Sequence, residues 1–319
     1  MSTPYSPPEL TIAHLSDLHL VAPGTLLFEQ IDTWRRTREA FATAMAHEPA
    51  IFLVTGDIAE RFHEIRPAAD ELLQEMADTY RRTIITIPGN HDLQSDFTQS
   101  VYVPGGTVGV APSSAGVTPA SAPGDHRGTV PLGEARISYG PEPADSVFET
   151  AQLRVISLNS HGYRVAQGHL TDAQLEWLSA ELGRSDSSAL QQRTVITLHH
   201  PPVANPYIEM RNIGLRGQQE FADILRGAKS AGARIDAILC GHYHITQAAS
   251  IADVPVWVTP AVAYQGDPTV GRGRVRGRDY GFVSLIRFAE DRDYSALAIK
   301  FAGAGAELFD REIIRELLP

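Results

Sequence analysis

The sequence lacks the features of several broad classes of protein. A single cysteine, Cys240, excludes an internal disulfide in the 319 residues and is typical of a reducing compartment. No apolar run approaches the ~18 residues that a membrane-spanning helix requires. Residues 1–10 lack the cationic and apolar regions of a secretory signal. We therefore expect a cytoplasmic protein without a membrane span.

Basic residues are also few. The chain has 27 Lys and Arg residues against 38 Asp and Glu residues, which gives a formal net charge of −11. An acidic protein repels long polyanions, so we expect no stable nucleic-acid partner. Hydrophobic residues make up 43% of the chain and can bury a sizeable core. This excludes a mainly disordered, collagen-like or coiled-coil protein.

Short β-branched runs alternate with helical patterns, which is typical of an α/β fold. The predicted strands up to Cys240 span residues 11–16, 51–55, 83–87, 153–158, 194–198 and 235–240. The predicted helices span residues 31–47, 67–81, 171–183 and 217–231. Thr171 and Gln174 have the spacing of a capping box at the start of the third helix. The alternation therefore predicts layers of strands and helices.

The pattern changes after Cys240. Residues 254–259, 282–288 and 294–301 predict strands with short connections, added antiparallel to the sheet system. Apolar residues at helical spacing in the tail predict a helix that docks on the body or forms a homo-oligomer contact: Phe309, Ile313, Ile314, Leu317 and Leu318. We find no linker, so we expect one domain over residues 1–319, with a strand/helix extension at about 262–319.

One segment, about residues 103–143, is rich in Gly, Pro, Ser and Ala. A loop of that length is uncommon inside a compact domain. We interpret it either as a lid or as a disordered insertion.

Side chains that bind metals follow five of the predicted strands. In chain order they are Asp17 and His19, then Asp57, then Asn90, His91 and Asp92, then His199 and His200, and last His242 and His244. In open α/β sheets, sites form in the crevice at the carboxyl ends of the strands. We therefore expect these distant residues to converge at one edge.

The mixture of carboxylate, amide and imidazole ligands indicates the kind of site. There are too many ligands for one tetrahedral ion, and the set suits two ions of intermediate softness, such as Mn, Fe, Zn or Co. The set contains no cysteine, which excludes an iron–sulfur site. Glycine before Asp57, Asn90 and His242 permits tight turns. Each motif alone is weak, and the five in this order carry the inference.

These motifs resemble those of the calcineurin-like metallophosphoesterase superfamily, over residues 11–261. The motifs are Asp17-X-His19, Gly56-Asp57, Gly89-Asn90-His91-Asp92, His199 and Gly241-His242-X-His244. Residues 14–20 and the run His199-His200-Pro201-Pro202 are most similar to the class III cyclic-nucleotide phosphodiesterase and glycerophosphodiesterase branch. The resemblance implies a four-layer α/β/β/α sandwich, which the strand pattern alone does not distinguish from a doubly wound sheet.

The resemblance also implies a role for each motif residue. The implied ligands are Asp17, His19 and His244 for the first metal, Asn90, His199 and His242 for the second, and Asp57 for both. His91 would contact the substrate phosphate, as would Asn90, or protonate the leaving group. Asp92 would orient His91 or a neighbouring turn, and His200 would support the site from behind. Glu60 stands where many relatives have Asp.

We therefore expect a dinuclear metal-dependent phosphodiesterase that hydrolyses small phosphodiesters, either cyclic nucleotides or glycerophosphodiesters. A hydroxide activated by the metals would attack phosphorus, because two cations neutralise the phosphate and lower the pKa of water. A phosphomonoesterase would use the same metal site. A nuclease and a non-catalytic scaffold are further alternatives, which the acidic charge and the complete ligand set disfavour.

Other polar residues have two interpretations each. Alternating arginines in a Gly-rich stretch are either a phosphate contact or a solvated loop: Arg272, Arg274, Arg276 and Arg278. Asn159 and His161 follow the fourth predicted strand and either support the metal site from outside the ligand set or are ordinary turn residues. Asn205, Tyr207 and Arg211 follow the His-His-Pro-Pro run and are candidates to line the pocket by proximity alone.

Overall fold

Two packed β-sheets, each covered by helices on its outer face, make up the body of the protein. A computed structural model describes residues 10–60, 63–92, 100–107, 126–130, 133–160, 165–184, 192–289 and 294–312. The strands are β1 (Leu10–Leu15), β2 (Ile51–Thr55), β3 (Thr83–Ile87), β4 (Val101–Val103), β5 (Gly106–Thr107), β6 (His126–Val130), β7 (Gly133–Tyr139), β8 (Ser146–Glu149), β9 (Leu153–Leu158), β10 (Arg193–Leu198), β11 (Ala237–Cys240), β12 (Gln247–Ile251), β13 (Val254–Val258), β14 (Gln265–Gly266), β15 (Arg274–Arg278), β16 (Gly281–Phe288), β17 (Tyr294–Ala302) and β18 (Glu307–Glu312). The helices are α1 (Thr33–Met45), α2 (Arg66–Tyr80), α3 (Asp172–Leu182) and α4 (Gln218–Ser230).

Both large sheets are mixed, with parallel strands at their centres. The first has the order β17-β16-β1-β2-β3-β4-β5, and the second has the order β12-β13-β11-β10-β9-β8-β7-β6. Strands β1, β2 and β3 run parallel, as do β9, β10, β11 and β13. A small third sheet contains β14, β15 and β18. The carboxyl ends of the parallel strands therefore lie at one edge of each large sheet.

The apolar faces of these elements form the layers. One buried cluster lies between the sheets and takes residues from both: Ile12, Leu53, Ile85, Val155, Val195 and Leu239. A second cluster packs α1 and α2 on the outer face of the first sheet, and a third packs α3 and α4 on the second. The predicted four-layer α/β/β/α sandwich is confirmed.

Local sequence signals define the ends of the helices. Asp32 caps α1 by accepting a hydrogen bond from the N–H of Arg35. The capping box at α3 is confirmed, with Gln174 N–H donating to Thr171 Oγ1 at 3.3 Å and Thr171 N–H to Gln174 Oε1 at 2.9 Å. None of the helices in the described ranges is long and apolar enough to cross a membrane.

The structure corrects three expectations from the sequence. Residues 254–259 were predicted to add antiparallel to the sheet system, but β13 pairs parallel with β11. The Gly/Pro-rich segment 103–143 was interpreted as a lid or a disordered insertion, but parts of it are strands. Strands β4 and β5 extend one sheet, and β6 and β7 extend the other. Residues 108–125 lie outside the described ranges. The predicted tail helix is wrong at Phe309, which belongs to strand β18, where it pairs with Gly277 of β15 and contacts that glycine. The other four tail positions fall outside the described ranges.

Candidate metal centre

Five loops at one edge of the sandwich bring the predicted ligands together. They follow β1, β2 and β3 in the first sheet and β10 and β11 in the second. The N–H of Asp17 donates to Gly56 O at 3.0 Å, and that of His19 donates to Asp57 O at 2.9 Å. The loop after β11 joins them through the N–H of His242, which donates to Asp17 Oδ2 at 3.0 Å. Loops from both sheets therefore form one continuous site.

The backbone is left-handed at five of the seven predicted ligands. The angle φ is +55° at Asp17, +45° at His19, +49° at Asp57, +71° at His242 and +51° at His244. Residues other than glycine adopt this region at a cost, and such residues concentrate at functional sites where the surroundings hold them. The sequence carries no signal of this strain, since these are ordinary Asp and His residues.

One group of side chains contains Asp17, His19 and His244. Oδ1 of Asp17 lies 3.3 Å from His244 Nε2 and 4.0 Å from His19 Nε2. The two Nε2 atoms are 3.0 Å apart. Asp17 is fully buried, and its Oδ1 has no well-formed hydrogen bond among the described residues. A buried carboxylate oxygen in this state is typical of a cation ligand.

In these two histidines Nδ1 points away from the group and Nε2 points into it. The partner of the outer nitrogen, Nδ1, determines whether the inner nitrogen, Nε2, carries a lone pair. His244 Nδ1 lies 2.9 Å from Tyr264 O, a carbonyl that only accepts, so Nδ1 holds the proton. His19 Nδ1 lies 2.5 Å from Glu60 Oε2. In their neutral forms both histidines therefore direct an Nε2 lone pair inward, and two facing lone pairs repel. A cation placed between them would relieve the repulsion, so these residues fit a metal.

The second group contains Asn90, His199 and His242. His199 Nε2 lies 3.2 Å from Asn90 Oδ1 and 3.1 Å from His242 Nδ1. His199 Nδ1 donates to Thr55 O at 2.6 Å, and His242 Nε2 donates to Ala166 O at 2.8 Å. The outer nitrogen is again protonated by contact with a carbonyl, so in the neutral forms of these histidines Nε2 of His199 and Nδ1 of His242 face each other as acceptors. These residues fit a second cation.

Asp57 lies between the two groups. Its Oδ2 is 3.4 Å from His199 Nε2 and 3.7 Å from His19 Nε2. Its Oδ1 accepts the N–H of His91 at 2.8 Å. Burial alone would raise the pKa of the Asp57 carboxyl, but the imidazoles of His199 and His91 outweigh burial and hold that pKa well below its usual range. The side chain is therefore an anion in contact with both groups.

His91 lies at the mouth of the site and is not one of the facing imidazoles. Its side chain is 30% exposed, and its Nδ1 donates to Glu60 O at 2.7 Å. Burial lowers the pKa of His91, but the negative charges of Asp57 and Glu60 outweigh burial and raise it above its ordinary value. A protonated imidazole beside two anionic groups can donate a proton.

Asp92 holds the turn beneath His91. Its buried carboxylate accepts backbone hydrogen bonds from Ile58 at 3.1 Å, Ala59 at 3.0 Å and Gly89 at 2.9 Å. The two loops that carry Asp57 and His91 are thereby joined.

Replacing Asp92 by alanine would leave three buried N–H groups without a partner. Each costs about 1–3 kcal/mol, so we expect Asp92→Ala to lower the free energy of unfolding by at least about 3 kcal/mol. Urea denaturation of metal-free protein measures this change. Asp223→Ala, at an exposed acid on α4, is the control. Equal midpoints for the two variants would contradict the role of Asp92.

Gly89 also positions Asp57, through space rather than through hydrogen bonds. A Cβ at Gly89 would overlap Oδ1 and the backbone N of Asp57. We expect Gly89→Ala to displace this carboxylate and weaken metal binding about 10–100-fold, as loss of a ligand's support does. Titration of stripped protein with Mn²⁺ measures the affinity. Gly106→Ala is the matched control, because no atom lies within 4 Å of its added Cβ. Wild-type affinity in Gly89→Ala would overturn the prediction.

The remaining sequence-predicted residues lie farther back or outside the described ranges. His200 is buried beside His199 and His242, with Nδ1 2.7 Å from Ser160 Oγ. Asn159 is engaged in a turn, where its side chain donates to Pro143 O at 2.8 Å. Asn205, Tyr207 and Arg211 lie in the segment that follows β10. His161 lies outside the described ranges.

Sequence reasoning missed two residues that orient the imidazoles. Glu60 was noted only as a departure from relatives, yet its carboxylate contacts His19 and lies 3.6 Å from His91 Nδ1. The ring of Tyr264 packs against His244 with centroids 4.3 Å apart. The position of Glu60, three residues after Asp57, could have indicated its role in the site. No sequence pattern indicated a role for Tyr264.

The fold and the site define the family. Residues 10–246 match the model of the calcineurin-like phosphoesterases, which is well over half of the chain. The chain therefore belongs to this family of phosphoric ester hydrolases.

Two bacterial relatives confirm the resemblance to the class III branch. A Rhodococcus erythropolis protein named "Probable cyclic nucleotide phosphodiesterase" is 30% identical over 281 residues, covering 87% of this chain and 79% of the relative. A cAMP/cGMP dual specificity phosphodiesterase of Mycobacterium tuberculosis is 26% identical over 278 residues, covering 85% and 73%. A crystal structure of a dimetal phosphatase from Danio rerio shares the fold, with 13% identity, a TM-score of 0.54 and coverage of 93% and 100%.

Proposed function

We propose that this protein is a dinuclear metal-dependent phosphodiesterase that hydrolyses small phosphodiesters. The family membership makes it a phosphoric ester hydrolase. The names of its bacterial relatives support a diester substrate, with cyclic nucleotides as the first class to test. The motif resemblance makes glycerophosphodiesters the second class.

The observation that supports this proposal most directly is that, in each group beside Asp57, two imidazole nitrogens direct their lone pairs at each other. Asp17, His19 and His244 would hold one cation, and Asn90, His199 and His242 would hold the other. Asp57 would contact both, because its Oδ2 faces an imidazole nitrogen of each group. Mixed carboxylate and imidazole ligands suit Mn, Fe, Zn or Co. When bound, such cations neutralise phosphate charge and make hydroxide available near neutral pH.

The side chains at the mouth of the site would act on the ester itself. His91 would bind a phosphate oxygen or protonate the leaving alkoxide, because its pKa is raised and its ring is partly exposed. Glu60 would hold the His91 ring through its carbonyl, and Asn90 would lie beside the phosphate. No protein nucleophile is required. The cytoplasmic location expected from the sequence stays a prediction, as does a homo-oligomer contact, one of the two interpretations of the tail.

Hydrolysis of bis(p-nitrophenyl) phosphate and of p-nitrophenyl phosphate tests the proposal. Metal-stripped protein receives Mn²⁺, and the two values of kcat/KM are compared. We expect metal-dependent cleavage of the diester to exceed cleavage of the monoester. Preference for the monoester would instead indicate a phosphatase. Absence of turnover on these and on cyclic nucleotides, in protein shown to bind metal, would indicate a scaffold.

A further inference from the structure

The four alternating arginines fall into two kinds. Arg274, Arg276 and Arg278 lie on β15 and are paired with acids: Arg274 Nε lies 2.7 Å from Asp310 Oδ1, and Arg278 Nε lies 2.8 Å from Asp267 Oδ2. These three hold the small third sheet together. Arg272, in the loop before β15, is exposed and has no acidic partner among the described residues. Its charge is therefore available to a ligand.

Arg272 lines a cavity of about 660 Å³, hereafter the side cavity. Its wall contains the rings of Tyr207, Tyr280 and Phe282 together with Ile245 and Val270. Pockets that bind small molecules have volumes of about 300–1,000 Å³ and mostly apolar and aromatic walls with a few polar groups. The side cavity has both properties.

The side cavity adjoins the metal centre. Ile245 and Thr246 of its wall directly follow the proposed ligand His244, and the N–H of Gly266 donates to His244 O at 2.8 Å. Consecutive Cα atoms are about 3.8 Å apart, so the wall begins about one residue from a ligand. The side cavity and the proposed metal centre therefore share the backbone segment 244–246.

The walls are held in place without a ligand. Tyr207 Oη donates to Arg274 O, and Glu209 Oε1 accepts the N–H of Gly273 at 2.9 Å. The carboxylate of Glu209, the one acid among the described residues of the wall, is thus engaged by the backbone. The unpaired charge that remains in the wall is the guanidinium of Arg272.

We propose that the side cavity binds the base of a nucleoside phosphodiester. This inference rests on the proposed phosphodiesterase function and selects cyclic nucleotides over glycerophosphodiesters as its substrates. Aromatic rings stack on the planar face of a base, and a guanidinium both stacks on a base and donates hydrogen bonds to its edge. A choline or ethanolamine group carries a positive charge, which Arg272 repels.

Equilibrium binding to the Mn²⁺-loaded protein tests this proposal without depending on turnover. Titration calorimetry compares AMP with ribose 5-phosphate, which differ only in the base. We expect AMP to bind about tenfold more tightly, the order of effect of stacking one base. Arg272→Gln and Tyr280→Leu should each reduce this ratio at least about threefold. Arg226→Gln, at an exposed arginine on α4, should preserve it.

Each other outcome has one meaning. Equal affinities for AMP and ribose 5-phosphate in the wild type, or a ratio unchanged in both variants, would overturn the base-binding role. Tighter binding of glycerophosphocholine in Arg272→Gln would also overturn it, since a cationic group would then occupy the side cavity. Loss of diester hydrolysis with an intact ratio would overturn the proposed function and leave the binding site.

Discussion

Asp57→Asn is expected to abolish the binding of both metals together. Oδ2 of Asp57 faces His199 at 3.4 Å and His19 at 3.7 Å, so one carboxylate would serve both proposed metal positions. The amide keeps the size of the side chain but removes its negative charge, and each cation loses an anionic ligand. We expect kcat/KM for bis(p-nitrophenyl) phosphate to fall by more than about 100-fold, the upper range for residues that only support a ligand.

Elemental analysis after dialysis measures the bound metal, and initial rates measure kcat/KM. Asp223→Asn, at an exposed acid of α4, controls for loss of one negative charge. Loss of a single metal equivalent, with the other retained at wild-type affinity, would show that Asp57 belongs to one position only. Circular dichroism of the stripped variant separates a local effect from unfolding.

His91→Ala is expected to keep both metals and to lose turnover. The N–H of His91 donates to Asp57 Oδ1, and this backbone contact survives in the alanine variant. The ring, which contacts Glu60 at the mouth of the site, is lost. General acid catalysis contributes about 10²–10⁴-fold, so we expect kcat to fall by that factor while metal content stays at the wild-type level.

The leaving group decides which role His91 has. A proton donor matters most for a poor leaving group such as an alkoxide, and least for p-nitrophenolate. We therefore expect a larger loss with a cyclic nucleotide than with bis(p-nitrophenyl) phosphate. His47→Ala, at an exposed histidine after α1, is the control. If His91→Ala lost metal as fully as Asp57→Asn, the ring would be a ligand, and the role assigned to it would be wrong.

The convergence of the motif residues could be predicted because strand patterns and strand ends are local. Predicted strands 51–55, 83–87 and 153–158 have the same bounds in the structure. Each places its polar residues at a carboxyl end, and the topology of parallel strands then brings Asp57 and Asn90 to one edge. The apolar pattern of the strands and the spacing of the polar residues sufficed to predict that the motif residues converge.

The rest of the site depends on contacts between distant segments. Which imidazole nitrogen faces inward follows from acceptors such as Thr55 O and Tyr264 O, which lie 144 and 20 residues away from their histidines. The small sheet of β14, β15 and β18 was missed for the same reason. Its strands are short, and β18 is held by Arg274 and Arg276 on Asp310 rather than by its own apolar pattern.

The two proposed metal positions each take residues from both sheets. Asp17 and His19 follow a strand of the first sheet, whereas His244 follows a strand of the second. The second position likewise combines Asn90 of one sheet with His199 of the other. Bound cations would therefore link the two sheets of the sandwich, and their binding free energy would add to the free energy of unfolding. Chelation would loosen the whole body, not the catalytic edge alone.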